Sequence, residues 1–298
     1  MASWLIRFQE KNMKKPFIRQ KQFSERYSVR ENLTSTQGLA LGFLDRVSVF
    51  ETMRAYRGRI FRLQGHLDRL YASAQLLGTV ILRDRQQLAK QLTTALVRSG
   101  LQEAVVRAAL IPQGKGMAKP HIVVQPAQRP PPSSYQRGLR IAVVPAKKFS
   151  VGSITPQAKY SARLGSVMAV ADAQLRGVDE ALFLDETGSV TESTASNLGI
   201  VKRGAIHTPP CWLGLLAGIT RDALPELAAT LRLTFAEVPL TRHDLYNADE
   251  AFLTSTLKEV IPVTEIDGRR IGPGRPGPVT RQLHRAFRKL VARELNLQ

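Results

Sequence analysis

The sequence predicts a mixed α+β fold in two lobes, and three features of the 298-residue chain lead to this prediction. Short segments in which apolar and polar residues alternate recur along the chain, as expected for half-buried strands. Between them lie segments whose apolar residues keep the spacing of an amphipathic helix. The run Gln125–Gly138 contains four prolines, which fix φ and remove backbone donors, so we interpret it as an interdomain connector.

The first lobe is predicted to contain a hairpin, a helix and two further strands. Val49–Tyr56 alternates like a half-buried strand, and Arg57–Gly58 supplies a turn after it. The apolar residues that follow keep helical spacing until Gly78, a suitable residue to end a helix. The predicted elements are the hairpin Val49–Phe61, the helix Gln64–Leu77, and the strands Ala104–Ile111 and Pro120–Val124.

The second lobe is predicted to combine strands with three helices. The turn Asp185–Gly188 separates two apolar runs and indicates a hairpin. A helical stripe closed by Gly177 consists of Leu164, Val167, Met168, Ala171 and Leu175. The other elements are the strand Leu139–Pro145, the hairpin Ala181–Val190, the helix Asp222–Leu231, and a closing helix that carries Val279, Leu283, Phe287 and Leu290 on one face. We therefore divide the chain into a basic extension (1–37), a small domain (38–125), a proline-rich linker (126–138) and a large domain (139–298).

Composition excludes several classes of protein. Lys and Arg outnumber Asp and Glu by 43 to 24, and the resulting net charge of +19 favours anionic partners. Cys211 is the only cysteine, so a disulfide scaffold is excluded and a cytoplasmic location is expected. No uninterrupted apolar stretch of about 18 residues exists, so no transmembrane helix and no membrane partner are expected. The five histidines lack ligand spacing, so no metal site is expected.

The first thirty residues contain eight Lys or Arg against two acidic residues, without an apolar core segment. This pattern excludes a secretory signal and leaves three interpretations open: a solvated tail, which we favour, an organelle transit peptide, or an arm that contacts nucleic acid. Basic charge alone supports only non-specific nucleic-acid binding, and no RNA signature or helix-turn-helix pattern accompanies it. No specific nucleic-acid partner is therefore expected.

Candidate chemistry lies in a lysine, a carboxylate and an anion-binding helix start, in that chain order. Lys159 precedes a predicted helix, and Glu192 ends the returning strand of a hairpin. The loop Leu216–Asp222 then runs into a helix, where the free amides of Ile219 and Thr220 would face a phosphate favourably. Each residue alone is better explained as an ordinary strand end or helix cap, so only further motifs give the combination weight.

Such motifs occur, in the same order, over roughly residues 38 to 290. They are Ser48–Thr52, His66–Leu70, Gly177–Leu182, Val190–Glu192 with Asn197, Gly218–Arg221, and Thr254–Thr256 followed by Glu259–Val263. Together they resemble the class IV aminotransferase family, the pyridoxal-phosphate enzymes of fold type IV, which includes branched-chain aminotransferases, D-amino acid aminotransferases and 4-amino-4-deoxychorismate lyases. The resemblance implies a smaller N-terminal α/β lobe and a larger C-terminal lobe, a mixed β-barrel with helices.

The resemblance also implies pyridoxal 5′-phosphate as the cofactor and a role for each matching residue. Lys159 would form the Schiff base with the cofactor aldehyde and move a proton, and Glu192 would pair with the pyridine nitrogen. Asn197 would fix the loop after Glu192. The phosphate would be bound by Arg69, Ile219, Thr220 and Thr256.

On the substrate side, the resemblance implies contacts from Phe50, Thr52 and Arg107. Strand alternation leaves open that Arg107 points to solvent at a sheet edge. The segment Lys159–Leu164 departs from the family because the Asn and Tyr that commonly follow the lysine are missing, and its Arg163–Leu164 is more similar to the lyase. By contrast, Thr254–Thr256 is more similar to the transaminases.

The implied activity is the transfer of an amino group from a branched-chain or similar amino acid to 2-oxoglutarate, by a homodimer. One alternative uses the same site as a 4-amino-4-deoxychorismate lyase, which releases pyruvate. A distant alternative is a basic nucleic-acid-binding protein, supported by the net charge of +19 alone.

Overall fold

The computed structural model describes residues 48–146, 157–161 and 164–297, which form two β-sheets flanked by seven α-helices. The predicted basic extension, residues 1–37, and the start of the predicted small domain lie outside the described residues. No helix within these segments is both long and apolar enough to cross a membrane. The helices are α1 (Leu63–Leu76), α2 (Arg85–Ser99), α3 (Pro132–Arg137), α4 (Leu164–Leu175), α5 (Leu224–Leu231), α6 (Arg242–Tyr246) and α7 (Pro278–Glu294).

The first sheet has five strands in the order β2-β1-β4-β5-β3. Its strands are β1 (Phe50–Tyr56), β2 (Arg59–Ile60), β3 (Val80–Ile81), β4 (Ala104–Gly114) and β5 (Met117–Pro126). Helices α1 and α2 pack on it, and one core joins Leu67 and Leu70 of α1 to Leu88 and Leu92 of α2. Helix α2 was not predicted, although Asp84 caps its first turn and Gly100 ends it in the left-handed conformation.

The second sheet has nine strands, and six of them close into a barrel in the order β9-β12-β13-β6-β7-β8, because β8 also pairs with β9. One core cluster draws buried aliphatic residues from all six barrel strands and fills the interior. This confirms the predicted α+β fold with a barrel-like second lobe. The strands are β6 (Leu139–Val143), β7 (Glu180–Leu184), β8 (Val190–Ser193), β9 (Asn197–Lys202), β10 (Ala205–Thr208), β11 (Phe235–Glu237), β12 (Glu250–Ser255), β13 (Glu259–Ile266) and β14 (Arg269–Arg270).

The proline-rich run Gln125–Gly138 contains a helix, α3, which the prolines were expected to exclude. Pro132 takes the first position of α3, where a missing N–H forfeits no intrahelical hydrogen bond. Tyr135 of α3 stacks on His284 of α7, with 4.8 Å between the ring centroids. The expectation of an irregular connector is therefore corrected, while the domain limits proposed from the sequence stay predictions.

Helix α4 follows the predicted positions, but the apolar residues that predicted it are not the residues it buries. Its buried positions are the small residues Ser166, Ala169 and Ala173. The apolar stripe points outward: Leu164 is 69%, Val167 57%, Met168 57% and Leu175 89% exposed. The described part of the chain therefore leaves this face of α4 uncovered.

Candidate active site

A cleft between the first sheet and the barrel brings together all seven residues that the sequence assigned to cofactor binding. Its walls come from α1, the segment before α4, the turn between β8 and β9, the loop before α5, and the end of β12. The seven residues are Arg69, Lys159, Glu192, Asn197, Ile219, Thr220 and Thr256.

Lys159 is held by the edge of the first sheet. The amide of Phe50 donates to the Lys159 carbonyl at 3.1 Å, and the amide of Ser161 donates to the Ser48 carbonyl at 2.8 Å. The Lys159 amide donates to the Ser73 hydroxyl of α1 at 3.1 Å. These bonds fix the backbone around Lys159, so its amine projects beside the Phe50 ring, 5.0 Å from the ring centroid.

Glu192 owes its direction to a bulge in β8. Leu182 of β7 faces Ser193, whereas Leu184 faces Val190, so three residue steps on β8 oppose two on β7. Val190 packs into the barrel core, and the extra residue turns Glu192 to the other side of the strand.

The Glu192 carboxylate is buried and held by two donors. Its Oε2 accepts from Asn197 Nδ2 at 3.1 Å and from the Leu216 amide at 3.2 Å. Asn197 Nδ2 also donates to the Leu216 carbonyl at 2.8 Å. Gly218 lies so close to Asn197 that an added Cβ would sit 2.0 Å from Asn197 Oδ1. The approach of this loop to Glu192 therefore requires a glycine at position 218.

Arg69 is largely buried, whereas a helix arginine beside the apolar stripe was expected to be exposed more often than not. Its Nε and Nη2 donate to Glu51 at 2.6 and 2.8 Å, and its Nη1 donates to the Ala217 carbonyl at 2.6 Å. His66 Nδ1 lies 2.8 Å from the same Glu51 carboxylate. The sequence analysis quoted the motifs that contain Glu51 and His66 but assigned neither residue a role.

Burial raises the pKa of Glu51, but the charge of Arg69 and the hydrogen bonds from Arg69 and His66 outweigh burial and lower that pKa to about 2. Burial lowers the pKa of His66, although the hydrogen bond to Glu51 opposes this shift. At neutral pH the imidazole is therefore neutral and the carboxylate ionised. Because the carboxylate can only accept, Nδ1 of His66 carries the proton.

The turn that carries Thr256 is fixed by a second buried carboxylate, Glu259. Glu259 accepts hydrogen bonds from Arg54 Nη1 at 2.9 Å, the Tyr56 hydroxyl at 3.1 Å and His284 Nε2 at 2.8 Å. Since Arg54 and Tyr56 belong to β1, these bonds connect the first sheet to the barrel strand that follows the turn. Thr256 is thereby held opposite Arg69 in the cleft.

Two sets of polar groups in the cleft have no partner within the described residues. The buried hydroxyl of Thr254 has no hydrogen-bond partner there, and the amides of Ile219 and Thr220 donate to none of the described residues. Buried polar groups are normally satisfied, so these donors and this hydroxyl fit a polar ligand with an anionic group at the loop before α5. Thr254 was not predicted from the sequence.

The three predicted substrate residues share one face of the first sheet. Phe50 and Thr52 are two positions apart on β1, and Thr52 lies directly opposite Arg107 of β4. The Arg107 guanidinium is exposed and lies over the Phe50 ring, 4.5 Å from its centroid. Because β4 pairs with β1 on one side and β5 on the other, Arg107 is not at a sheet edge, and it stands next to the ring that Lys159 contacts.

Comparison with known proteins identifies the family. Residues 48–266 match the family model for amino-transferase class IV. The chain belongs to this family. It is 35% identical to the branched-chain-amino-acid aminotransferase of Pseudomonas aeruginosa over 83% of this chain and 84% of that protein.

Solved structures of class IV aminotransferases share the fold. The Escherichia coli branched-chain amino acid aminotransferase superposes with a TM-score of 0.80 at 29% identity, over 88% of this chain and 90% of that chain. A branched-chain amino acid aminotransferase from Thermoproteus uzoniensis, solved with norvaline, gives a TM-score of 0.77 at 30% identity, over 87% and 90%. Another, solved with pyridoxamine 5′-phosphate, gives a TM-score of 0.79 at 32% identity, over 82% and 85%. The predicted family and fold type IV architecture are thereby confirmed.

The pKa of Glu51 makes a pH-dependent contribution to stability that can be tested. The pKa is lowered from 4.5 to about 2 in the folded protein, so the stabilisation is complete above about pH 4.5 and is lost as the pH falls through about 2. Between about pH 6 and about pH 3, wild type should lose about 2 kcal/mol of unfolding free energy relative to Glu51→Gln, which cannot titrate. Urea unfolding of both proteins measures this difference, and a difference independent of pH would show that Glu51 is not held ionised.

Proposed function

We propose that this class IV aminotransferase uses pyridoxal 5′-phosphate to transfer the amino group of a branched-chain or similar amino acid to 2-oxoglutarate. The observation that carries the proposal is the convergence of the seven cofactor-assigned residues on one cleft. The relatives support it, because those in Pseudomonas aeruginosa and Escherichia coli are branched-chain aminotransferases. In addition, structures of such aminotransferases have been solved with pyridoxamine 5′-phosphate and with N-(5′-phosphopyridoxyl)-L-glutamate.

The phosphate end of the cofactor would be held at the loop before α5. Arg69 supplies a cation, the amides of Ile219 and Thr220 supply donors at a helical start, and Thr256 supplies a hydroxyl from the opposite wall. These groups come from three separate elements that hydrogen bonds already fix. They therefore bind the phosphate without first having to be ordered.

The ring end would be held by Glu192. Bound pyridoxal 5′-phosphate supplies an aldehyde and an electron-accepting pyridine ring. The buried Glu192 carboxylate keeps a proton on the ring nitrogen, and Asn197 and Leu216 hold the carboxylate in place. Lys159 would carry the cofactor through its amine, and once substrate has displaced that link the amine takes the proton from the substrate Cα.

The substrate would lie over β1 and β4. Phe50 and Thr52 provide an apolar and a small polar contact beside the Lys159 amine. The exposed guanidinium of Arg107 can bind a carboxylate, such as the side-chain carboxylate of glutamate or the second carboxylate of 2-oxoglutarate. This arrangement gives one surface for both the apolar and the anionic substrate.

The assignment of Lys159 can be tested by trapping. Protein incubated with pyridoxal 5′-phosphate should turn yellow, and borohydride should fix the label to Lys159, because Lys159 is the only lysine among the described residues that line the cleft. Lys159→Ala should stay colourless. Lys258→Met is the matched control, since Lys258 instead pairs with Glu180 at 2.5 Å, and it should remain yellow. Peptide mapping that finds the label on another lysine would contradict the assignment.

The reaction type can be tested in half-reactions. L-Leucine, L-isoleucine or L-valine added alone should bleach the colour and leave pyridoxamine phosphate, and 2-oxoglutarate should restore it. Arg107→Met should raise the KM for 2-oxoglutarate at least about tenfold, with a smaller effect on leucine, because only the oxo acid has a second carboxylate. If no amino acid bleaches the band while 4-amino-4-deoxychorismate yields pyruvate, the transaminase assignment is wrong.

We also propose that the protein works as a homodimer in the cytoplasm without a specific nucleic-acid partner, as the sequence predicts. The exposed stripe Leu164, Val167, Met168 and Leu175 of α4 supports the dimer, because soluble proteins seldom leave such a row of large apolar side chains in water. The single cysteine agrees with a reducing compartment.

A charge on the α4 stripe should separate the subunits. Met168→Glu should produce monomers in sedimentation velocity, because a buried unpaired carboxylate destabilises an apolar interface. Val97→Glu is the matched control, since Val97 of α2 is 69% exposed but lies outside the stripe, and it should stay dimeric. A wild-type monomer would contradict the dimer, and a dimeric Met168→Glu would show that α4 is not the interface.

A further inference from the structure

Three charged or titratable residues behind the cleft wall take no part in the proposed chemistry as yet. They are Glu51 on β1 and His66 and Arg69 on α1, and Glu51 is completely buried. A buried carboxylate destabilises a protein unless charged and hydrogen-bonding partners compensate for its lost hydration. Here α1 supplies both partners from successive turns, His66 and Arg69, which face the same strand.

The geometry of the pair leaves one edge of Arg69 available. The guanidinium has five N–H donors, and Glu51 occupies the edge formed by Nε and Nη2. Nη1 donates to the Ala217 carbonyl at 2.6 Å. Two donors remain, one on Nη1 and one on Nη2, and Arg69 lines the cleft that also contains Thr256.

The same cluster contacts the loop that carries the phosphate-binding amides. Ala217, which Arg69 binds, lies directly before Gly218, Ile219 and Thr220. His66 lines a small cavity together with Ile219 and Thr220. Movement of Glu51 would therefore disturb both the guanidinium and the loop, which are the two sources of donors at this end of the cleft.

We propose that Glu51 is the positioning residue of the phosphate site: its carboxylate fixes the guanidinium of Arg69 so that the two remaining donors face the cofactor phosphate. The inference rests on the proposed function, because it takes the cleft to bind a phosphorylated cofactor. A carboxylate that merely joined β1 to α1 would affect folding stability without distinguishing a phosphorylated ligand from one that lacks the phosphate.

That distinction defines the experiment. Apo-protein, wild type and Glu51→Gln, is titrated with pyridoxal 5′-phosphate and separately with pyridoxal, and the absorbance of the product formed with Lys159 gives each affinity. Glu51→Gln should weaken pyridoxal 5′-phosphate binding about 10- to 100-fold, the usual range for a lost hydrogen bond between charged groups. It should leave pyridoxal binding nearly unchanged, since pyridoxal has no phosphate for Arg69 to bind.

Glu250→Gln is the matched control. Glu250 is also buried and also accepts three hydrogen bonds, from the amides of Val279 and Thr280 and the Thr280 hydroxyl at 2.7 to 2.9 Å. It caps the start of α7 and does not line the cleft. Glu250→Gln should lower the melting temperature yet leave the ratio of the two affinities as in wild type.

The outcomes separate the inference from the proposed function. A wild-type protein that forms no coloured product with pyridoxal 5′-phosphate overturns the proposed function and this inference with it. Normal wild-type binding with an unchanged affinity ratio in Glu51→Gln overturns the inference alone. If Glu51→Gln does not fold, Glu51→Asp keeps the charge but withdraws it by one methylene, and it should show a smaller loss that is still confined to the phosphorylated ligand; an unchanged ratio there also overturns the inference.

Discussion

The loop Leu216–Thr220 is held between two buried ionic groups, and the rest of the cleft depends on this constraint. Glu192 of the barrel accepts from the Leu216 amide, and Arg69 of the first lobe donates to the next carbonyl, that of Ala217. One short loop is thus bonded to both lobes at the site. Since the loop also carries the amides of Ile219 and Thr220, the spacing between the ring end and the phosphate end follows from these two hydrogen bonds.

The barrel contributes a second constraint through an irregularity in its pairing. In a regular β8, Glu192 would share the side of Val190 and enter an aliphatic core, where an unpaired carboxylate is strongly destabilising. The bulge between Val190 and Ser193 places it beside Asn197 instead. A local break in the ladder therefore converts a core position into a site position, which explains why a bulge occurs at this point of an otherwise closed barrel.

The sequence predicted the residues that touch the cleft but not the residues that hold them. Motifs identified Lys159, Glu192 and Arg69 because each has a chemically distinctive side chain at a fixed place in the chain order. Glu51 was missed as a partner because its contacts, 15 and 18 residues away, depend on how α1 packs on β1. Helix α3 was missed for the opposite reason: composition was taken as decisive, although a proline at the first helical position is compatible with a helix.

Net charge shows the same difference between composition and placement. The excess of +19 suggested an anionic partner, yet several arginines are paired with internal carboxylates: Arg54 with Glu259, Arg69 with Glu51, and Arg221 with Glu237. Arg54 and Arg221 are almost fully buried, so their charges hold loops and strands together and are not available to solvent. Arg107, by contrast, is exposed beside Phe50 and Lys159. A cation's function in this protein therefore follows from whether a carboxylate already occupies its donors, which the count of charges does not contain.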